Sequence, residues 1–408
     1  MIGLEPAPPV LPARGYQWTT RVVLQLTVLA AAAYVYAVAE LAPIGAMPAI
    51  AADLHVSEAR VGMLPAAYAL ISVLSTVPLV RLTAHWPRRR VFVLTLLSLT
   101  VSQVLSALAP GLLLLAVSRV LCGLTHGLMW SIVAPIGARL VPASHTGRAT
   151  TAVYIGTSAA LIVGNPLTTS MSQAWGWRGA LLVIAAVAGV ITVLARCLLP
   201  TMTVGAVELE SNSPMRWFRN KRLLTLCAIT LVGVTAHFAS YTFVVPIIRD
   251  VTGVDGRGQA VLLAAYGVVG LVSMAVLARA SDKWPRFAVS VTVAVLCLTF
   301  FVLTAVASGG SPVLGGGAIL IWGACAAVLP PMLQASAIRA CPQHAEGASA
   351  WYVTAFQVGI VSGSVGGGAV YDGHSVLTVI STSAVLFAVA LAGVIARAGM
   401  FRAEAGSG

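Results

Sequence analysis

Val22–Ile50 reads VVLQLTVLAAAAYVYAVAELAPIGAMPAI, a run in which Glu40 is the only charge. At about 1.5 Å of rise per helical residue it is long enough to cross the ~30 Å hydrocarbon core of a bilayer, so it predicts a membrane-spanning helix. Comparable runs follow with short polar or Pro/Gly punctuation, and they predict spans over 22–51, 58–82, 90–109, 111–138, 148–172, 177–199, 222–248, 258–280, 286–307, 312–338, 346–370 and 374–397. A β-barrel would instead alternate in segments of about ten residues. Composition agrees. Of 408 residues, 59% are hydrophobic and 9% charged, against about a quarter charged in soluble domains. The expected class is an all-α membrane protein with twelve transmembrane helices.

The formal charge of +12 would suggest nucleic acid in a soluble chain, but the positions of the basic residues argue otherwise. With the N-terminus in the cytoplasm, nineteen of the 24 Lys and Arg residues fall in inner segments. Arg60, Arg178, Arg249 and Arg257 fall outside, and Arg119 lies within a span. This bias predicts a multi-pass protein of the cell membrane with both termini cytoplasmic, in contact with lipid and not with nucleic acid. The first run is too long for a cleavable signal and follows a Pro-rich leader, so it reads as a retained span. Six cysteines without metal-ligand spacing predict neither a disulfide framework nor a metal site.

The chain also repeats itself. Tyr68, Arg81, Trp86, Pro87 and Arg88 recur 198 residues later as Tyr266, Arg279, Trp284, Pro285 and Arg286, and Pro48 recurs as Pro246. At an offset of 200, Arg139, Pro142 and Gly147 recur as Arg339, Pro342 and Gly347. Six spans per copy give both copies the same orientation. The prediction is two pseudo-symmetric six-helix bundles, 22–199 and 222–397, about an axis along the membrane normal with a cavity between them. Around them lie a leader (1–21), a central cytoplasmic linker (200–221) and a tail (398–408).

Several motifs resemble the major facilitator superfamily, and in particular its twelve-span drug:proton antiporter branch, which includes sugar-efflux and chloramphenicol-efflux proteins. They are Glu40-Leu41-Ala42-Pro43-Ile44-Gly45 with Pro48 to Leu54, then Arg119 to Gly127, and Gly176-Trp177-Arg178. The resemblance covers roughly 20–397. It implies alternating access, a role for Arg119 in proton coupling, and a small neutral or weakly polar solute such as a sugar or an amphenicol-type drug. The loop after span 2 departs from the family pattern at Val80, Ala84 and Pro87 and keeps Arg88 and Arg89. The second copy keeps more of the charge, in Asp282, Lys283 and Arg286, and these five residues form the expected cytoplasmic gate. In span 5, Asn165 stands before Pro166 where the antiporter signature has Gly.

A carboxylate at the middle of a span costs about 2.5–3.5 kcal/mol to insert, so Glu40 is expected to face protein or a wet cavity and to exchange a proton there. Arg119, at similar depth, needs a partner. Pairing with Glu40 is the economical solution, and bonding to backbone carbonyls is the alternative. His126, seven residues on, and His237, which the repeat sets beside the counterpart of Glu40, are candidates for solute binding or proton relay, or are structural. Asn165, Gln334 and Gln357 offer hydrogen bonds to a solute or between helices. Tyr34, Tyr36, Trp130, Tyr154, Tyr241, Trp322, Trp351 and Tyr352 are candidates for an aromatic cavity wall.

The function these features support is proton-coupled efflux of a small organic solute by a monomer without cofactors. An importer or passive facilitator on the same fold is the alternative. A polytopic membrane enzyme finds no support, because the chain has no phosphate-binding Gly-rich loop, no His/Glu metal motif and no acid/nucleophile cluster.

Overall fold

A computed structural model describes residues 18–202, 220–254, 256–373 and 375–396, and those residues are helical apart from short connections. The expected leader to residue 17, most of the linker (203–219) and the tail from 397 lie outside the described residues. The helices are α1 (Thr20–Gly45), α2 (Met47–Asp53), α3 (Glu58–Leu82), α4 (Arg88–Ala107), α5 (Leu112–Arg139), α6 (Thr146–Ala159) and α7 (Asn165–Leu198) in the first half. The second half holds α8 (Lys221–Tyr241), α9 (Val244–Thr252), α10 (Gly256–Lys283), α11 (Pro285–Ala307), α12 (Pro312–Ala340), α13 (Ala345–Gly373) and α14 (Val376–Ala396).

Two expected spans are each divided. The run 22–51 breaks between α1 and α2, and the run 222–248 breaks between α8 and α9. Proline explains why the breaks correspond. Pro43 sits inside α1, Pro48 enters α2 in its first turn and Pro246 lies in α9; each removes a backbone donor that a continuous helix would use. The fifth expected span, 148–172, carries an irregularity of its own. α6 passes through a π-helical stretch, Ala160–Gly164, into α7. Within α7 the non-helical residue is Gly176, at φ 73° and ψ 159°, a conformation that favours glycine.

Ten described stretches are long and apolar enough to cross a membrane, and α3 adds the shorter apolar stretch Ala67–Leu82. One of the ten, Leu167–Leu198, contains Gly176. Divided there and joined to α6, it supplies both the fifth and the sixth span, completing the twelve. Leu74, Val193, Leu298 and Val365 are exposed, as apolar side chains can be where lipid replaces water as solvent.

Each half has its own apolar core. Leu29, Tyr36, Phe92, Leu96 and Leu99 belong to the first, and Phe300, Trp322, Tyr352 and Phe387 to the second. The halves meet where α3 and α5 pack on α13, and where α6 packs on α10 and α12. A matching contact marks the repeat inside each half. A Cβ added to Gly123 would lie 3.0 Å from the Tyr68 carbonyl oxygen, and one added to Gly323 would lie 2.5 Å from that of Tyr266. At both positions α-helices cross closely because glycine leaves the room.

Three hydrogen bonds define one end of the bundle. Gln25 Nε2 donates to Leu198 O (2.8 Å), the Arg88 amide to Met202 O (3.0 Å), and Asn220 Nδ2 to Cys341 Sγ (3.0 Å). This terminal face therefore gathers the beginnings of spans 1 and 7 with the loops after spans 2, 6 and 10. On the opposite face Arg178 pairs with Asp53 and donates to Ala109 O at 2.8 Å, while Trp177 Nε1 donates to Asp53 at 3.2 Å.

Candidate functional site

Arg119 is 3% exposed and lies on α5 against α1. Its Nη2 donates to Ala39 O at 2.8 Å and approaches Glu40 O at 3.4 Å. Local sequence explains this. An α-helical carbonyl at residue 39 would receive the N–H of residue 43, and Pro43 has none. The guanidinium supplies the missing donor, and its Cζ lies 5.2 Å from the Tyr68 ring centroid. Of the two arrangements expected for Arg119, the structure adopts the carbonyl-bound one. Among the described residues no ion pair joins it to the Glu40 carboxylate, and Nη1 has no hydrogen-bond partner. Glu40 itself is half-buried, five residues before α1 ends.

Beside Arg119 runs a polar and aromatic chain. His126 Nδ1 and Tyr68 Oη share a hydrogen bond of 2.6 Å, and Cys122 Sγ lies 3.7 Å from the same oxygen. His126 also packs near Trp130 (6.1 Å between centroids), and Trp130 near Tyr154 (5.8 Å). Trp130 touches both apolar cores. Its carbonyl accepts from Gln334 Nε2 at 3.1 Å across the halves, while that nitrogen also donates to Ser349 Oγ at 2.7 Å.

The second half places aromatic side chains at the corresponding level. Trp322 Nε1 donates to His237 Nδ1 at 3.0 Å, which fixes that nitrogen as an acceptor and, on a neutral ring, the proton on Nε2. Tyr241 stacks on His237 at 5.1 Å and 20°, and Tyr266 meets Trp322 edge-on at 5.6 Å. The offset of 200 carries Cys122 onto Trp322. The same Tyr–Gly crossing is thus lined by thiol, guanidinium and imidazole in one half and by indole, phenol and imidazole in the other.

The remaining candidates divide. Tyr34 is half-buried against the first core. Gln357 is buried in α13, and the side chain of Asn165 lies outside the described residues. Tyr36, Trp322 and Tyr352 are fully buried and serve as core rather than as cavity wall. Of the five gate residues, two cross between the halves. Arg88 Nη2 pairs with Glu346 at 2.5 Å and Arg148 Nε with Asp282 at 2.8 Å. Arg89 instead donates to Leu199 O at 3.2 Å within its own half, Lys283 lies over Trp284 at 4.5 Å, and Arg286 is exposed.

Sequence reasoning missed Tyr68, Arg139, Arg148 and Glu346 as site residues. The signal for Glu346 was present, since it directly precedes Gly347, one of the residues that defined the repeat.

The sequence profile of the Major Facilitator Superfamily matches residues 28–364. The chain is 50% identical over 382 residues to the chloramphenicol efflux pump Rv0191 of Mycobacterium tuberculosis, with 92% of each chain covered. Its fold is similar to that of the human organic anion transporter MFSD10, with a TM-score of 0.73 at 16% identity over 93% of this chain and 100% of that one. The Escherichia coli fucose:proton symporter FucP gives 0.73 at 15% identity, over 92% and 99%. With the profile matched over most of its length and its paired helical bundles found again in transporters, this chain belongs to the Major Facilitator Superfamily, within its drug-efflux branch.

Proposed function

We propose that this membrane transporter exports a small, neutral or weakly polar, ring-bearing solute of the amphenicol type in exchange for protons. The terminal face lies in the cytoplasm and the chain in the cell membrane, as the distribution of basic residues favours. The observation that carries the proton half is the position of Arg119. Its guanidinium serves the backbone carbonyl freed by Pro43, which leaves the half-buried Glu40 carboxyl to exchange a proton beside a fixed positive charge. Solute binding falls to the half-buried, stacked pair of His237 and Tyr241, which suits an aromatic ring. The 50% identity to a chloramphenicol efflux pump supports the same solute class.

Coupling requires only that proton and solute bind the two arrangements of the bundles with different affinity. In proteoliposomes an imposed pH gradient should drive chloramphenicol counterflow, and Glu40→Gln should abolish the dependence on the gradient while retaining solute binding. Gradient-driven transport that survives Glu40→Gln removes Glu40 from the mechanism. Proton and solute moving in the same direction identifies an importer instead.

A further inference from the structure

The repeat exposes an exchange of acidic positions at the terminal face. In the second copy, Asp282 reaches across to the start of α6. Its Oδ1 accepts from the Gly147 amide at 2.6 Å, and its Oδ2 from the Arg148 amide at 3.2 Å and Arg148 Nε at 2.8 Å. A Cβ on Gly147 would lie 2.7 Å from Oδ1, so the glycine admits the carboxylate to the helix N-terminus, where backbone N–H groups favour negative charge.

The same contact cannot form in the first copy. The offset of 198 carries Asp282 onto Ala84, and the offset of 200 carries Gly147 onto Gly347 at the start of α13. The acid has moved to the other partner. Thr146 in α6 corresponds to Glu346 in α13, and the Glu346 side chain points back toward position 84. Its Oε2 pairs with Arg88 Nη2 at 2.5 Å and its Oε1 with Arg139 Nη2 at 3.2 Å. Arg88 in turn donates to Thr83 O at 2.9 Å and Ala84 O at 3.0 Å. The side chains of Arg88 and Glu346 are 4% and 7% exposed.

We infer that Glu346 is the positioning residue that holds the loop after span 2 against α13, supplying from the second half the carboxylate that Ala84 lacks. It does not touch the solute. It acts through Arg88 and Arg139 on the closed state of the terminal face. The inference does not depend on which solute is carried or on proton coupling.

Hydrogen–deuterium exchange of the full-length protein in detergent or nanodiscs tests this without solute or pH gradient, so its failure is distinguishable from failure of the transport reading. Glu346→Gln is expected to speed exchange in segments 83–91 and 345–352 by about tenfold or more. Adding Ala84→Asp to that variant returns the acid to the first copy and slows exchange again, whereas Ala84→Asn does not. Unchanged exchange in Glu346→Gln overturns the assignment, and so does an acceleration that Ala84→Asp leaves uncorrected. If Glu346→Gln does not fold, Arg139→Gln removes the Arg139 contact to Glu346 and leaves that of Arg88, and unchanged exchange at 345–352 in that variant is equally decisive.

Discussion

At the scale of single residues, Arg119 is tied to a proline on another helix. Removing the guanidinium leaves the Ala39 carbonyl buried without a donor, which costs about 1–3 kcal/mol. Arg119→Ala should therefore lower stability by that amount, and Pro43→Ala, which restores an N–H four residues on, should offset part of the loss. A double-mutant cycle by thermal unfolding measures the coupling, and additive effects would contradict it. This bond also marks a limit of what the sequence reveals. That Glu40 and Arg119 lie at membrane depth is legible from the apolar residues around them. Which oxygen the guanidinium takes is not, because that depends on a donor missing from the backbone rather than on any charge.

At the scale of helices, packing depends on a few close approaches. A Cβ on Gly156 of α6 would come within 1.8 Å of the Ala30 carbonyl oxygen on α1, and backbone cannot move aside as a side chain can. Gly156→Ala should cost about 3 kcal/mol, the upper end for overpacking, read as a fall in unfolding temperature. On the opposite face, the hydrogen bond from Arg178 holds the Asp53 carboxyl below its ordinary range. The folded value lies below the unfolded one, so this contribution is complete above the unfolded value and is lost as pH falls toward the folded one. Asp53→Asn should flatten the acid limb of a plot of unfolding temperature against pH. The helices themselves were legible from apolar run length. The breaks after Gly45 and Tyr241 were not, since a run containing proline reads as one span until the tertiary context bends it. The boundary between the fifth and sixth spans was legible, because Gly176 and its polar neighbours read as a loop and the helical conformation breaks at Gly176.

At the scale of the molecule, ion pairs among the described residues join the halves at the terminal face, Arg88 and Arg139 with Glu346 and Arg148 with Asp282. Asp282→Asn should release the start of α6, seen as faster exchange at 143–150, and Asp282→Glu should restore little because a longer side chain must fit against Gly147. The two-bundle plan was legible from the repeat, and the gate only in part. Arg88 and Asp282 were legible from the family's loop pattern, but Glu346 required asking what a copy does where a matched position has gone neutral. That exchange leaves a polarity. In every one of these pairs the anion comes from the second bundle and the cation from the first, so these contacts run one way across the seam instead of trading charges both ways. Charges drawn together across water are screened by dissolved ions, whereas a pair as enclosed as Arg88 and Glu346, 4% and 7% exposed, hardly is. Added salt should therefore loosen the Asp282 contact, whose Arg148 side chain is 30% exposed, before the Arg88–Glu346 contact, seen as faster exchange at 143–150 than at 83–91.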